Sequence, residues 1–245
     1  MIRCGRMSNS YYEAGERRGE RVNDLFATIA PRYDLINDLQ SLGLHRGWKR
    51  RLVKLAAPGA GRRALDLCCG TGDVAFAMAG LGSATTGLDF SEPMLAVARR
   101  RAAGSPAGAT PEFLQGDAQA IPFPDGTFDI VTISYGLRNL ASWERGLSEM
   151  WRVARSGARL LVLDFGKPEN RLWRTVYFAY LRFIVPVFGW LFCGDSATHG
   201  YILESLKHYP AQHGVAARMR EMGCRDVRII PLMGGMMTIN HGIKP

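Results

Sequence analysis

Between residues 62 and 166 the chain alternates short apolar runs with longer amphipathic stretches. "RRALDLCC", "ATTGLDF", "PEFLQGD", "DIVTIS" and "ARLLVLDF" are compact, largely apolar segments bounded by Gly, Pro, Asp or Ser, the pattern of strands buried on both faces. "GDVAFAMAGL", "SEPMLAVARRRAA" and "WERGLSEMWRVA" carry apolar residues at helical spacing. Ser91 stands where an N-cap belongs and Pro93 falls in the first turn. Such alternation with short loops predicts a parallel sheet covered by helices on both faces. Upstream, residues 20–56 read as helices broken at Pro31 and Gly43, behind a polar lead-in at 1–19. Downstream the rhythm changes to an aromatic helical region at 171–192, a polar helix near 199–208 and another near 210–222. Two last strands, "DVRIIPL" and "MMTINHGI", are close enough to form a hairpin. The expected architecture is one α/β domain over 20–245 with a seven-stranded, mostly parallel sheet. Segments 20–57 and 171–222 are expected to cap its ligand-bearing edge.

At 245 residues and 47% hydrophobic content the chain can bury one full core. Its net charge of +9 is uneven: residues 171–190 hold three arginines and no acid. A basic surface suits nucleic acid, an anionic membrane or an anionic ligand. No interleaved base-stacking motif supports the first, so no nucleic-acid partner is expected. The five cysteines form no CxxC pair and no zinc-like spacing, so no metal site is expected and the thiols read as small core residues in a reducing cytosol. The N-terminus has no apolar leader, and Glu13, Glu16 and Glu20 argue against a transit peptide.

The strand "ALDLCC" runs directly into "GTGDVA". Gly70 and Gly72 permit a tight turn and close approach of a ligand to the backbone. With Ala75 the stretch fits a dinucleotide fingerprint, and Asp89, seventeen residues after Gly72, suits a ribose diol. Three features turn the reading away from a dinucleotide. Asp66 lies inside the first strand, placed either to hold a cationic amino group or to order the loop through its N–H groups. Asp117 lies just past the third strand, where a carboxylate accepts from an adenine amino group. The terminal hairpin would add an antiparallel strand.

"DLCCGTGD" with "GDAQAIPFPDGTFD", over residues 60–166, resembles the class I S-adenosylmethionine-dependent methyltransferases. "YDLINDLQSLGLHRGWKR", "SYGLRN", "LLVLDFGKP" and "GYILESLKHYP" extend the likeness over nearly the whole chain, to the C-methyltransferases of menaquinone and ubiquinone biosynthesis. The resemblance implies a Rossmann-like fold and methylation of a ring carbon of a polyprenylated quinol. That substrate would be demethylmenaquinol, or the equivalent benzoquinol; another small-molecule methyltransferase is the alternative. It also implies S-adenosylmethionine contacts at Gly70, Thr71, Gly72, Asp89, Asp117, Ala118 and Ser134, to which Asp66 is added.

A sulfonium methyl is already activated, so the protein must supply an electron-rich carbon and in-line geometry. A donor that stabilises the oxygen anion of the ring lowers that barrier, by roughly 3–4 kcal/mol in comparable sites. Arg138, permanently charged and planar, suits this role, and Asn139 beside it can orient a ring oxygen. The proton acceptor is left open among a water, Tyr33, Asp34 and His45, with Asn37 near them. The aromatic segment at 171–192 has an unbroken apolar part of about a dozen residues, too short to span a bilayer. It reads as an interfacial helix, as a lid over the isoprenoid tail, or as a surface for the core or a partner subunit in a homo-oligomer. A cytoplasmic enzyme touching the inner membrane face is the expected setting.

Overall fold

The computed structural model describes residues 33–105, 110–187, 190 and 197–245; the lead-in at 1–19 and the stretch "RVNDLFATIA" lie outside them. Two helices come first, α1 (Tyr33–Ser41) and α2 (Leu44–Ala56). They part where Leu42 and Gly43 both take left-handed backbone, φ 50° and 74°, so the break falls at the glycine that marked it. Then follow β1 (Arg63–Leu67), α3 (Asp73–Ala79), β2 (Ala84–Asp89), α4 (Glu92–Ala103), β3 (Glu112–Gln115) and β4 (Phe128–Ser134). A 3-10 turn at Leu137–Asn139 leads to α5 (Trp143–Val153) and β5 (Ala154–Phe165). The chain ends with α6 (Arg171–Ala179), α7 (Ala197–His208), α8 (Ala211–Glu221), β6 (Arg225–Leu232) and β7 (Met237–Ile243).

All seven expected strands form one sheet in the order β3-β2-β1-β4-β5-β7-β6. β1 to β5 pair in parallel, and β7 enters antiparallel between β5 and β6. The period-2 geometry of a strand divides the core. Leu160 and Val162 of β5 join Val131 and Ile133 of β4 on the face covered by α5 and by α6 to α8. Leu161, Leu163 and Ile130 point the other way, onto Leu52, Val53 and Ala56 of α2 and Val74 and Met78 of α3. Strand order reverses between β1 and β4, and the crevice at such a reversal is where ligands sit in open α/β sheets.

Two local details differ from the sequence pattern. Ser91 occupies the N-cap position of α4, but its hydroxyl makes no cap bond; Asp89 Oδ1 accepts from the Ser91 backbone N–H instead. α6 continues into a π-helical turn at Tyr180–Ile184. The Val185 N–H closes it on the Tyr180 carbonyl, and Pro186, which follows directly, has no N–H to donate to the carbonyl four residues earlier.

Candidate functional site

The expected cofactor residues converge on the carboxyl edge of β1 to β4. Leu67 and Leu88 are paired, as are Asp89 and Gln115, so the glycine turn, Asp89 and Asp117 emerge side by side. Gly70 and Gly72 have φ of 55° and 91°, a region where a side chain is strained. A Cβ at Gly72 would also stand 2.7 Å from the Phe113 ring. The Gly70 N–H donates to Asp89 Oδ2 at 2.8 Å, so this carboxylate fixes the loop as well as facing it. Asp117 Oδ1 accepts from the Gln119 N–H at 2.8 Å, shaping the bend that carries buried Ala118. Ser134 ends β4 with its hydroxyl buried.

Asp66 is 2% exposed and lies beneath the loop. Thr132 Oγ1 donates to it at 2.7 Å, and the Ala75 backbone N–H adds a second bond. These bonds tie β1 to β4 and to the start of α3. Burial pushes its carboxyl up to about 7. The folded protein thus holds an extra proton between about pH 4 and about pH 7. That contribution is full below the unfolded value and is lost as pH rises through about 7, with an upper limit of about 4 kcal/mol. Denaturant unfolding at about pH 5.5 and about pH 8.5 should show wild type losing stability across the interval and Asp66→Asn losing markedly less; equal slopes would contradict the assignment.

A polar cluster ties α1 to this turn. Thr71 Oγ1 donates to Asp34 Oδ1 at 2.9 Å, and Arg101 donates to the Thr71 carbonyl at 2.7 Å and to Asp73 at 2.9 Å. Lys49 of α2 donates to the other Asp73 oxygen at 2.8 Å.

Beyond the turn lies a cavity of about 370 Å³. Its walls come from α1 and α2 (Tyr33, Asn37, Gln40, His45, Trp48), from the segment after β4 (Tyr135, Arg138) and from Phe165. Tyr177, Tyr180 and Leu181 of the α6 region, Tyr201 of α7 and Met236 also line it. Arg138 is its one permanently charged side chain among the described residues. It is 3% exposed and lies 4.7 Å from the Phe165 ring centroid and 5.4 Å from that of Tyr201. Its guanidinium donates to the Tyr135 carbonyl, to Asn139 Oδ1 at 2.7 Å and to the Tyr201 hydroxyl at 3.2 Å. Asp164, 2% exposed, accepts from the Arg138 backbone N–H at 3.1 Å and lies 3.5 Å from Nε. Backbone strain gathers here: Cys68 and Tyr135, at the ends of adjacent strands, both have left-handed φ without being glycine, a cost that clusters at functional sites.

Three expectations change. Asn139 does not line the cavity; its oxygen accepts from Arg138 and its amide donates to the Tyr135 carbonyl. In this arrangement its side chain holds the arginine. Tyr33 does line the cavity, but burial pushes its phenol up, so it is protonated at neutral pH and is a donor, not a proton acceptor. Asp34 is spent on Thr71 and Arg101 and is not part of the wall. Unforeseen wall residues are Gln40 and Tyr135, whose Nε2 and hydroxyl are buried and without a hydrogen-bond partner among the described residues. Asp164 was missed too, although an acid inside "LLVLDF" is the same signal that singled out Asp66.

The ubiE/COQ5 methyltransferase family model matches residues 14–244. The Geobacter sulfurreducens ubiquinone/menaquinone biosynthesis C-methyltransferase UbiE is 41% identical over 230 residues, 93% of this chain and 90% of that one. The demethylmenaquinone methyltransferase of Thermus thermophilus is 42% identical over 223 residues, covering 90% of this chain and all of that one. Among solved structures, Synechocystis magnesium protoporphyrin IX methyltransferase with bound SAM superposes with a TM-score of 0.65 at 16% identity, over 96% of this chain and 100% of that one. That last likeness is one of fold. By the extent of the family match and the identity to these relatives, the chain belongs to the ubiE/COQ5 methyltransferase family.

Proposed function

We propose that this enzyme transfers a methyl group from S-adenosylmethionine to a ring carbon of a polyprenylated quinol, converting demethylmenaquinol to menaquinol. The observation that carries the reading is one buried guanidinium in an aromatic-lined cavity next to a glycine turn, with no other permanent charge in its wall among the described residues. The two curated relatives described above are named for demethylmenaquinone methylation and for ubiquinone/menaquinone biosynthesis. The benzoquinol of ubiquinone biosynthesis fits the same cavity chemistry.

The residues of the turn fit S-adenosylmethionine. A positive-φ glycine pair allows close backbone approach, Asp89 offers two oxygens to a diol, and Asp117 with Ala118 suits an adenine edge. Bound there, the cofactor supplies a methyl on a sulfonium that needs no further activation. The protein's part is to hold the ring and stabilise negative charge on its oxygen. Arg138 does the second in a site where water screening is weak. Gln40 Nε2 and the Tyr135 hydroxyl can donate to ring oxygens, and Trp48, Phe165 and Tyr177 enclose the ring. Together α1, α2, α6 and α7 act as the cap. Incubating the purified enzyme with methyl-labelled S-adenosylmethionine and chemically reduced demethylmenaquinone should place the label on a ring carbon. Label on a ring oxygen, or equal turnover of the oxidised quinone, would overturn the proposal, because the oxidised ring has no hydroxyl to ionise.

The tail and the membrane enter through one helix. Tyr177, Leu181 and Val185, at i, i+4 and i+8, are buried, while Leu172, Val176, Phe183, Ile184, Val187 and Trp190 are exposed among Arg171, Arg174 and Arg182. Val176, Trp173 and Met233 are both partly exposed and part of the cavity wall, so the cavity borders this apolar, basic surface. No described helix is long and apolar enough to cross a membrane. The exposed apolar residues flanked by arginines support docking on an anionic bilayer at this face, with the substrate taken from the lipid. Phe183→Ser with Trp190→Ser should weaken cosedimentation with anionic vesicles by about tenfold or more while sparing turnover of a short-tailed, soluble quinol. Unchanged vesicle binding would remove this surface from the account.

A further inference from the structure

Resting on the quinol reading above, the geometry points to His45 Nδ1 as the group that takes the proton from the ring hydroxyl, with Asp38 holding the imidazole in place. His45 is 4% exposed and part of the cavity wall that also carries Arg138. Its Nε2 lies 2.8 Å from Asp38 Oδ1. A carboxylate only accepts, so Nε2 carries the hydrogen and Nδ1 keeps its lone pair. Nδ1 is buried and has no hydrogen-bond partner among the described residues. Asp38 is itself fixed: Arg46 donates to Oδ1 through Nε at 2.7 Å and to Oδ2 through Nη2. The arrangement, a carboxylate behind an imidazole that lines the cavity and whose far nitrogen is unpaired among the described residues, is one that fixes a tautomer and steadies an imidazolium.

The other wall groups are less suited. Arg138 cannot give up a proton at working pH, Tyr33 and Tyr135 are phenols pushed up by burial, and Gln40 and Asn37 are not bases. Burial holds His45 below the usual histidine range, so it starts as a neutral acceptor. The charged groups bearing on it are Asp38, which raises it through the hydrogen bond, Lys49, which lowers it, and Asp73, which raises it.

The step balances as follows. The ring O–H bond breaks and its proton moves to Nδ1, while the oxygen's electron pair feeds the ring. The carbon–methyl bond forms as the sulfur–methyl bond breaks, leaving a neutral thioether. The proton on the methylated carbon then leaves to water, and His45 returns its proton to the oxygen, so one proton is released in all. Between these transfers the anion faces Arg138.

The test is the pH dependence of kcat for His45→Gln and Asp38→Asn beside wild type, with calorimetric S-adenosylmethionine binding as the check of folding. His45→Gln should lose about 10²- to 10³-fold at neutral pH and should lack the acid limb seen in wild type. Its deficit should shrink toward about pH 10, where a phenol-like hydroxyl ionises unaided. Asp38→Asn removes a group that raises the imidazole, so its acid limb should move to lower pH. If His45→Gln keeps wild-type turnover and its acid limb while wild type methylates the quinol, water or another group is the acceptor and His45 falls alone. Should His45→Gln fail to bind cofactor, the Asp38→Asn limb decides, and an unmoved limb overturns the assignment. An inactive wild type would instead overturn the quinol reading.

Discussion

Arg138→Ala should lower kcat by about a hundredfold or more while leaving S-adenosylmethionine affinity nearly unchanged. The first half follows from the loss of the cavity's one permanent cation among the described residues, since a single donor to a developing oxyanion is worth this much or more. The second follows from where its contacts go: Tyr135, Asn139, Tyr201 and Asp164, none of them in the glycine turn. The substitution also takes the guanidinium away from Asp164, which is 2% exposed and keeps the backbone N–H groups of residues 138 and 165 as donors, and removing one partner of a buried pair costs up to about 3–5 kcal/mol. Arg138→Lys separates the two effects. It keeps a charge beside Asp164 but loses the fork that bonds Asn139 and Tyr201 together. Turnover should fall by about tenfold or more with most of the stability retained. Single-turnover kinetics with titrated cofactor binding checks both variants, and a loss of cofactor affinity that matches the loss of turnover would contradict the role.

Asp89→Ala should act in the opposite order, on the cofactor first. The carboxylate holds Gly70 and Ser91 through their backbone N–H groups and is proposed above to face the ribose hydroxyls, so its removal loosens the cradle and deletes two acceptors. Each hydrogen bond to a charged group is worth about 1.5–3 kcal/mol, so the dissociation constant should rise by about tenfold to a hundredfold. Calorimetry reads this directly, and kcat at saturating cofactor should change far less. Unaltered binding would sink the ribose assignment.

The parts legible in the sequence are those governed by local rules. Strands buried on both faces, such as β4 and the second half of β5, read as unbroken apolar runs, and the more exposed edge strands β3 and β6 were visible as well. So was the glycine turn, because a positive-φ bend at a strand end needs residue types that few other places need. Acids inside or just past strands marked Asp66, Asp89 and Asp117. What stayed hidden was set by contacts between distant segments. Asn139 beside Arg138 reads as a second substrate ligand, yet the neighbour it serves is the arginine itself. Asp38 and His45 sit seven residues apart across a helix break, and only the turn at Leu42 and Gly43 brings them to 2.8 Å. Pairing between Asp164 and Arg138 depends on the register of β4 against β5, which no single stretch of sequence encodes.

The quinone pool of cells lacking this protein tests the central claim most directly. Lipid extraction and mass analysis should show a prenylated quinone one ring methyl short, with the mature quinone absent and restored by the wild-type chain but not by Arg138→Ala. Its headgroup, naphthoquinone or benzoquinone, names the substrate. A quinone pool identical to that of the parent cells would contradict the account.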